Sequence, residues 1–380
     1  MAYHARGRLP HLSPPSAYYD PGQYALEQAR VFATAWRFVG TLDEIPAHGD
    51  FLTRTIAGLP LILRNLKGEV RAFSNVCAHR HCLLRRNRYG KAELLTCPYH
   101  GWVYDWAGKV KRAREPQLFQ PPPDGPNDGR PALARYRTAL CGRLIFVRLS
   151  QDGSSLQEFM GELYDLIAER FGDDWRPSLR LDVDYRANWK VAVENALESY
   201  HGAELHRRTF GGDPGEARSE HRLEPGWTQF STKIEIRQRL AGRIYCEVED
   251  SLLRFVGETP TATYRHFHLF PNLTFSLTDT VSYVQCMEPV SPTGSDGLIR
   301  QFTLSRRRWS PWRRGLLALW GAASARLTRR IVGEDMAIYP DLQRGLEGSQ
   351  QAGLLGRNEE RIHAFQAWLR ERLAASPTDP

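Results

Sequence analysis

The first half of the chain alternates short apolar runs with glycine and asparagine, a pattern typical of a small antiparallel β structure. Before these runs, the spacing of Tyr24, Phe32 and Trp36 predicts an amphipathic helix over Pro21–Phe38. The predicted strands are Phe51–Ile56, Leu59–Asn65, Val70–Asn75, Tyr136–Cys141 and Leu144–Leu149.

The second half mixes helical and strand patterns. Apolar periodicity predicts helices over Leu156–Phe171 and from Asn188 onward, while Ser282–Met287 has the composition of a strand. In Trp309–Arg330, tryptophan and leucine are interleaved with arginines. We expect a helix there that covers a functional site; a helix lying on a membrane surface is the alternative.

Composition limits the protein class. A chain of 380 residues with 42% hydrophobic and 25% charged residues fits two globular domains. No apolar run reaches the roughly 20 residues of a membrane-spanning helix, and the polar segment Met1–Asp20 predicts no signal peptide. Six cysteines do not indicate a disulfide framework, so we expect a cytoplasmic protein without membrane contact. The net charge of +8 is spread along the chain, and no nucleic-acid motif accompanies it. We expect a solvated basic surface; an acidic electron donor as partner is the alternative.

Two short segments each offer one thiol and one imidazole: Cys77-Ala78-His79 and Cys97-Pro98-Tyr99-His100. Four such ligands can close a zinc site. They can also hold a [2Fe–2S] cluster in which two cysteines bind one iron and two histidines the other. The order Cys-His then Cys-His favours the cluster, because each segment then gives one ligand to each iron.

The residues after His100 alternate between aromatic and smaller side chains from Gly101 to Trp106, which predicts a strand and then a turn at Ala107–Lys109. With these flanks, Cys77–Val110 resembles the cluster-binding segment of Rieske non-heme iron oxygenases. The resemblance implies a [2Fe–2S] cluster bound by Cys77, His79, Cys97 and His100. His81 stands where the family usually has glycine; we expect His81 and Cys82 to lie outside the ligand set.

A second pair of imidazoles, His201 and His206, follows the Asn188-Trp189-Lys190 helix. Five residues of regular helix would separate them by about 140°, so convergence on one metal needs a break, for which Gly202 is suited. Two histidines and one carboxylate form the facial triad of non-heme iron(II) enzymes. Taken alone, such a pair is more commonly structural or solvated; the upstream Rieske-like segment favours the metal site.

The segment Ile331–Leu346 resembles the late helix of the same family, in which the aspartate of a Glu-Asp pair binds iron. The resemblance implies Asp335 as the third ligand. We expect Glu334 and Asp341 to lie on a solvated helix face.

Glu198 precedes His201 by three residues, so on a helix its carboxylate could orient that imidazole. In the family, a carboxylate here also meets the cluster histidine of a neighbouring subunit, which would be His100. Many members have aspartate at this position. Glu204 is the competitor, and we favour Glu198.

The resemblance covers nearly the whole chain and implies an α+β fold. An N-terminal β-rich Rieske [2Fe–2S] domain would precede a catalytic domain with an antiparallel sheet covered by helices, in which His268–Phe275 is a central strand. The expected divisions are a helical segment 1–40 that packs on the catalytic domain, a Rieske domain 41–152 and a catalytic domain 153–380. The resemblance also implies a head-to-tail homotrimer.

The implied activity is that of a terminal oxygenase that uses dioxygen to hydroxylate or dihydroxylate a small organic substrate, with an aromatic one favoured. Electrons would come from NAD(P)H through a separate reductase, with or without a ferredoxin, since the chain has no dinucleotide fingerprint. An N- or O-demethylating monooxygenase of a quaternary amine or methoxy compound is the alternative. A Rieske-type electron carrier and a zinc-binding module are the competing classes. Four aromatic residues are candidates for the substrate pocket, although such residues more commonly lie in the core. They are Trp227, Phe267, Phe275 and Tyr283.

Overall fold

The computed structural model describes residues 3–119, 130–209, 213–233 and 240–375. The chain divides into two compact units. Ala33–Tyr164 form what we call the small unit, and Met1–Phe32 together with Asp165–Pro380 form the large unit. None of the described helices has the length and apolar character that crossing a bilayer requires.

The chain begins with a short strand and a helix that belong to the large unit. They are β1 (Leu9–Pro10) and α1 (Pro21–Glu27), and a π-helical segment, Gln28–Phe32, continues α1. The prediction of one helix over Pro21–Phe38 is therefore wrong at its C-terminal end. Phe38 lies in a strand and is paired with Phe146, because its backbone takes part in a sheet rather than in a helix.

The small unit is built from two antiparallel sheets. One has seven strands in the order β2-β11-β10-β5-β4-β3-β6, and the other has three in the order β7-β8-β9. The five predicted strands of this region are confirmed as β3, β4, β5, β10 and β11. In chain order the elements are β2 (Arg37–Thr41), β3 (Asp50–Ile56), β4 (Leu59–Leu66), β5 (Glu69–Ser74), β6 (Tyr89–Lys91), β7 (Leu95–Thr96), β8 (Val103–Tyr104), β9 (Val110–Arg112), β10 (Arg135–Cys141), β11 (Leu144–Arg148) and α2 (Leu156–Met160).

The large unit contains a seven-stranded antiparallel sheet in the order β12-β18-β17-β16-β15-β14-β13. Three helices, α4, α6 and α7, pack against it. The remaining elements in chain order are α3 (Leu163–Arg170), β12 (Trp175–Asp184), α4 (Trp189–Leu197), β13 (Ser219–Glu224), β14 (Trp227–Lys233), α5 (Leu240–Val256), β15 (Thr263–Leu269), β16 (Leu273–Leu277), β17 (Val281–Ser291), β18 (Gly294–Leu304), α6 (Pro311–Gly348), β19 (Leu354–Leu355) and α7 (Glu360–Ala374).

The α+β class is confirmed, and two local predictions need correction. Leu156–Phe171 forms two helices instead of one, because the chain turns at Gly161 with a positive φ of 52°. His268–Phe275 is not one strand: β15 ends at Leu269 and β16 begins at Leu273. The two strands pair with each other, and Pro271 lies in the turn between them, where its missing N–H costs no sheet hydrogen bond.

Helix α4 begins at a side-chain cap and is anchored by a buried ion pair. The Asn188 side chain accepts a hydrogen bond from the Lys190 backbone N–H at 2.9 Å. The Lys190 ammonium lies 2.7 Å from Glu27, and the Trp189 indole donates to the same carboxylate at 2.8 Å. All three side chains are fully buried, so α1 fixes the start of the helix that leads to His201.

Candidate functional site

The four Rieske-type residues lie on two loops of the small unit that share one backbone design. The Cys77 carbonyl accepts a hydrogen bond from the His81 N–H at 3.0 Å, and the Cys97 carbonyl accepts one from the Gly101 N–H at 3.1 Å. The closing residue of each loop is left-handed, with φ of 56° at His81 and 71° at Gly101. His81 therefore adopts the conformation for which glycine is usual, at a backbone cost that glycine avoids.

The loops bring like side chains together. The rings of His79 and His100 are 4.7 Å apart, and the ring of His79 also stacks on Trp102 at 4.7 Å. The Cys77 thiol lies 3.0 Å from the Tyr104 hydroxyl, and Cys97 is near enough to act on its pKa. Burial raises the pKa of Cys77, and the neighbouring Cys97 raises it further.

This donor set fits a [2Fe–2S] cluster of the Rieske type. Two adjacent thiols and two adjacent imidazoles match a cluster whose irons take unlike ligand pairs. His79 Nδ1 is buried and has no hydrogen-bond partner in the described structure, as expected of an atom reserved for a metal bond. The His81 residue that closes the first loop is exposed, and the next residue, Cys82, is partly buried.

The second candidate site begins where α4 ends. The helix stops at Leu197, and Glu198 has extended backbone angles of φ −125° and ψ 163°. A short 3-10 helix, Tyr200–Ala203, then carries His201. The sequence predicted a break between the two histidines at Gly202; the break instead lies before both, at Glu198.

His201 and His206 converge on Asp335 of α6. One ligand atom from each of the three residues lies within 4.8 Å of the others. Asp335 Oδ1 is 3.1 Å from His206 Nε2 and 3.7 Å from His201 Nε2. Asn195 holds the same oxygen from the side of α4, donating at 3.1 Å. This grouping of two imidazoles and one carboxylate fits a mononuclear iron(II) ion.

The other ring nitrogen of each histidine faces a glutamate. His201 Nδ1 makes a short contact with the Glu198 carboxylate, which also accepts from the His201 backbone N–H at 3.0 Å. His206 Nδ1 lies 2.8 Å from Glu334 Oε2. These glutamates fix the tautomer of each histidine, so both Nε2 atoms can bind a metal. Glu204, the competitor of Glu198, is exposed.

We expected Glu334 on a solvated helix face, and that prediction is wrong. It lies one helical step from Asp335, yet it reaches His206 and accepts a hydrogen bond from Thr209 at 2.8 Å. The loop that carries His206 and Thr209 passes over that side of α6, and no local pattern revealed this. Asp341 is exposed, as predicted. Asn195 was also missed; it lies two residues before the end of α4, and an asparagine there carries no distinctive signal.

The site attracts positive charge. Burial lowers the pKa of His206, but the hydrogen bonds and charges of Asp335 and Glu334 outweigh burial, and the net pKa is raised. The same carboxylates that favour a proton on the imidazole would favour a bound cation in its place.

A cavity of about 350 Å³ in the large unit opens onto the three convergent residues. Tyr283, one of the four aromatic candidates named from the sequence, lines it. Trp227, Phe267 and Phe275 do not; the rings of Phe267 and Phe275 stack on each other at 4.6 Å. Helix α6 forms one wall through Ser324, Leu327, Thr328, Ile331, Val332, Asp335 and Tyr339. The predicted site-covering helix at Trp309–Arg330 is therefore the N-terminal part of α6.

Two family models match the chain. Residues 35–122 match the Rieske [2Fe-2S] domain, and residues 172–375 match the catalytic domain of the ring-hydroxylating alpha subunit. The chain belongs to the ring-hydroxylating alpha-subunit family. The catalytic match alone spans more than half of the chain and includes His201, His206 and Asp335.

Relatives in this family act on different substrates. The chain is 34% identical over 192 residues to a glycine betaine monooxygenase oxygenase subunit of Chromohalobacter salexigens, which covers 50% of this chain and 42% of the relative. It is 32% identical over 194 residues to the toluate 1,2-dioxygenase alpha subunit of Pseudomonas putida, covering 49% and 42%. The matched region thus spans less than half the length of these relatives.

Solved structures of the family share the fold over nearly the full chain. A quaternary ammonium Rieske monooxygenase, whose structure was solved in connection with carnitine oxidation and inter-subunit electron transfer, superimposes with a TM-score of 0.72 at 20% identity, and the match covers 95% of both chains. Naphthalene 1,2-dioxygenase with bound indole superimposes with a TM-score of 0.71 at 16% identity, covering 96% of this chain and 92% of the other.

Proposed function

We propose that this chain is the terminal oxygenase component of a system that uses dioxygen and externally supplied electrons to hydroxylate or dihydroxylate a small organic substrate. One observation carries the proposal: a single chain holds a two-cysteine, two-histidine set and, separately, a two-histidine, one-aspartate set that opens onto a cavity. An electron carrier needs only the first set, and a zinc module needs neither the second set nor the cavity.

The proposed ligands are assigned residue by residue. Cys77, His79, Cys97 and His100 would hold the [2Fe–2S] cluster. A mononuclear iron(II) ion would be held by the three convergent residues, His201, His206 and Asp335. When bound, the cluster supplies single electrons and the iron supplies the open positions at which dioxygen is activated.

The surrounding side chains would keep the second set ready for a metal. Glu198 and Glu334 accept the Nδ1 protons of the two histidines and so present both Nε2 atoms toward Asp335. Asn195 limits the rotation of the Asp335 carboxylate by donating to one of its oxygens. The apolar part of the cavity wall on α6, Leu327, Ile331 and Val332, would exclude water beside the substrate.

The electron supply and the assembly are further parts of the proposal. A separate reductase, with or without a ferredoxin, would deliver electrons from NAD(P)H. In a cytoplasmic homotrimer, Glu198 would face His100 of a neighbouring copy and connect the two sites. The short side-chain contact between Glu198 and His201 supports this role from one side, since the carboxylate already lies against a proposed iron ligand.

Demethylation of a quaternary amine or methoxy compound is the second candidate activity. Two relatives are named as monooxygenases of quaternary amines, the glycine betaine monooxygenase subunit and the choline monooxygenase of Amaranthus tricolor, which is 33% identical over 206 residues. Their names favour a quaternary amine as the substrate. The same proposed metal set would serve either reaction.

Oxygen uptake with the Asp335→Ala variant tests the proposal. With an electron donor and a panel of aromatic acids and quaternary amines, the wild-type protein should show substrate-dependent oxygen uptake, and the variant should lose it while keeping the cluster's visible absorption. Asp341→Ala, an exposed change on the same helix, is the matched control and should keep both. Oxygen uptake in Asp335→Ala at the wild-type rate would contradict the proposal.

A further inference from the structure

The cavity wall contains a buried carboxyl group outside the proposed metal ligands. Glu249 of α5 is 4% exposed and lines the cavity. Its carboxylate makes a short contact with the Thr280 hydroxyl, and the Trp320 indole donates to the same hydroxyl oxygen at 2.9 Å. Because the indole can only donate, the hydroxyl proton of Thr280 is directed to Glu249. The carboxyl group is thus held in one orientation.

Glu249 and Asp335 lie toward opposite ends of the cavity. The cavity-lining residues of α6 run along one helix face from Ser324 to Tyr339. Trp320, which reaches Glu249 through Thr280, lies one turn before Ser324. Asp335 lies eleven residues beyond Ser324, which corresponds to roughly 16 Å of helix rise. Between the two ends the wall on α6 is mainly apolar.

The surroundings of Glu249 are negatively charged and aromatic. Its pKa is raised to about 7, chiefly by burial and in smaller part by the charges of Asp279 and Asp250, against the lowering effect of the Thr280 hydrogen bond. No basic side chain of the described ranges forms an ion pair with it. Tyr245, one turn earlier on α5, also lines the cavity, and its ring lies 4.4 Å from that of Trp320.

We propose that Glu249 recognises a positively charged nitrogen group of the substrate, a protonated amine or a quaternary ammonium, at the end away from the carbon that is oxidised. A buried carboxylate without a counter-ion is costly, and an organic cation would supply the missing charge. The face of Tyr245 offers a second favourable contact for such a group. Glu249 and its two acidic neighbours, Asp279 and Asp250, would repel an anionic ligand. The inference rests on the proposed function, because it takes this cavity as the substrate site.

Calorimetric titration of the iron-loaded protein with three matched probes tests the inference. Phenylpropylamine, phenylpropanol and phenylpropanoate share one apolar part and differ in the charge of the end group. At pH 8, we expect the amine to bind at least about tenfold more tightly than the alcohol or the acid. Glu249→Gln should remove that advantage. Glu247→Gln, an exposed change on the same helix with the same effect on net charge, should retain it.

Proton release gives a second readout. Near pH 7, amine binding should expel part of a proton from Glu249, because a bound cation favours the carboxylate form. Titrations in phosphate and in HEPES, which have different ionisation enthalpies, measure this release. It should vanish by pH 9 and be absent in Glu249→Gln.

Three results would overturn the inference: no amine binding by the wild-type protein, equal binding of amine and alcohol, or undiminished amine preference in Glu249→Gln. If the glutamine variant does not fold, Glu249→Asp replaces it and should fold with a weakened amine preference. The comparison of amine, alcohol and acid binding by the wild-type protein tests the inference without any variant. The titrations need no turnover. If the protein prefers the amine but shows no Asp335-dependent oxygen uptake, only the proposed oxygenase function is contradicted. If it shows that oxygen uptake but no amine preference, only the role of Glu249 is contradicted.

Discussion

Glu334 accepts a hydrogen bond from His206, with 2.8 Å between Oε2 and Nδ1, while the neighbouring Asp335 faces the other nitrogen of the same ring. Consecutive residues of one helix thus contact both sides of one imidazole. The arrangement fixes the ring and its tautomer before any metal binds. The Glu-Asp pair in the sequence therefore combines a proposed ligand with the residue that positions the second ligand.

Removing the Glu334 carboxylate should weaken metal binding without removing a ligand. For Glu334→Ala we expect the affinity of the metal-free protein for Fe(II) or Co(II) to fall about 10- to 100-fold, because His206 loses the acceptor that orients it. Anaerobic metal titration measures the change. Asp341→Ala should bind the metal as the wild-type protein does, and wild-type affinity in Glu334→Ala would contradict the positioning role.

Arg361 should stabilise the fold at the end of α4. It is 1% exposed and donates to the Leu197 carbonyl at 3.3 Å and to the Thr228 hydroxyl at 3.1 Å. A cation is favoured at a helix C-terminus, and its loss leaves buried acceptors unpaired. We expect Arg361→Met to lower the free energy of unfolding by about 1–3 kcal/mol in urea denaturation. Arg370→Met, exposed on the same helix, should change it little; equal effects of the two would argue against this role.

Replacing one member of the buried Lys190–Glu27 pair should lower the free energy of unfolding more than replacing both. Both side chains are at most 1% exposed. Lys190→Met leaves a buried carboxylate without its counter-ion, and we expect a loss of roughly 3–5 kcal/mol. Adding Glu27→Gln should recover part of that loss, which a double-mutant cycle in urea would show. Strictly additive losses would mean that the pair is not coupled.

His268 should make the fold sensitive to acid. It is fully buried and its Nε2 donates to the Pro271 carbonyl at 2.8 Å. Burial lowers its pKa to about 3. In the unfolded chain this histidine takes up a proton near its ordinary pKa of about 6.5. The contribution of neutral His268 to the free energy of unfolding is therefore complete above pH 6.5 and is lost as the pH falls toward 3. From pH 7.5 to 5.0 the loss should be about 2 kcal/mol.

Urea denaturation at both pH values, with His268→Gln as the comparison, isolates that contribution. The glutamine variant should lose less stability than the wild-type protein over this range, whatever its stability at pH 7.5. The same loss in both proteins would contradict the assignment.

Local signals in the sequence were sufficient for much of the fold, and alternating apolar residues predicted the strands of the small unit. The proposed ligands needed more than local signals. The Cys-His pairs suggested a four-ligand site, and the resemblance to Rieske oxygenases implied the full ligand set, including Asp335. Contacts between distant segments were not predictable in this way. The burial of Glu27 is an example, because its partner Lys190 lies 163 positions later in the sequence.

Glu334 shows the same limit at the site. Helical periodicity places it 100° from Asp335, but periodicity does not say which loop covers that side of the helix. His206 and Thr209 come from more than 120 residues away, and their contact with Glu334 is a property of the folded chain. Glu249 is similar, because its partner Thr280 lies in the turn between β16 and β17.

Iron counting combined with low-temperature EPR tests the central claim, which is that one chain carries two separate iron centres. The purified protein should hold about three iron atoms per chain and, once reduced, give a Rieske-type signal. His206→Ala should hold about two iron atoms and keep that signal unchanged. About two iron atoms in the wild-type protein after iron loading, or loss of the Rieske-type signal in His206→Ala, would contradict the account.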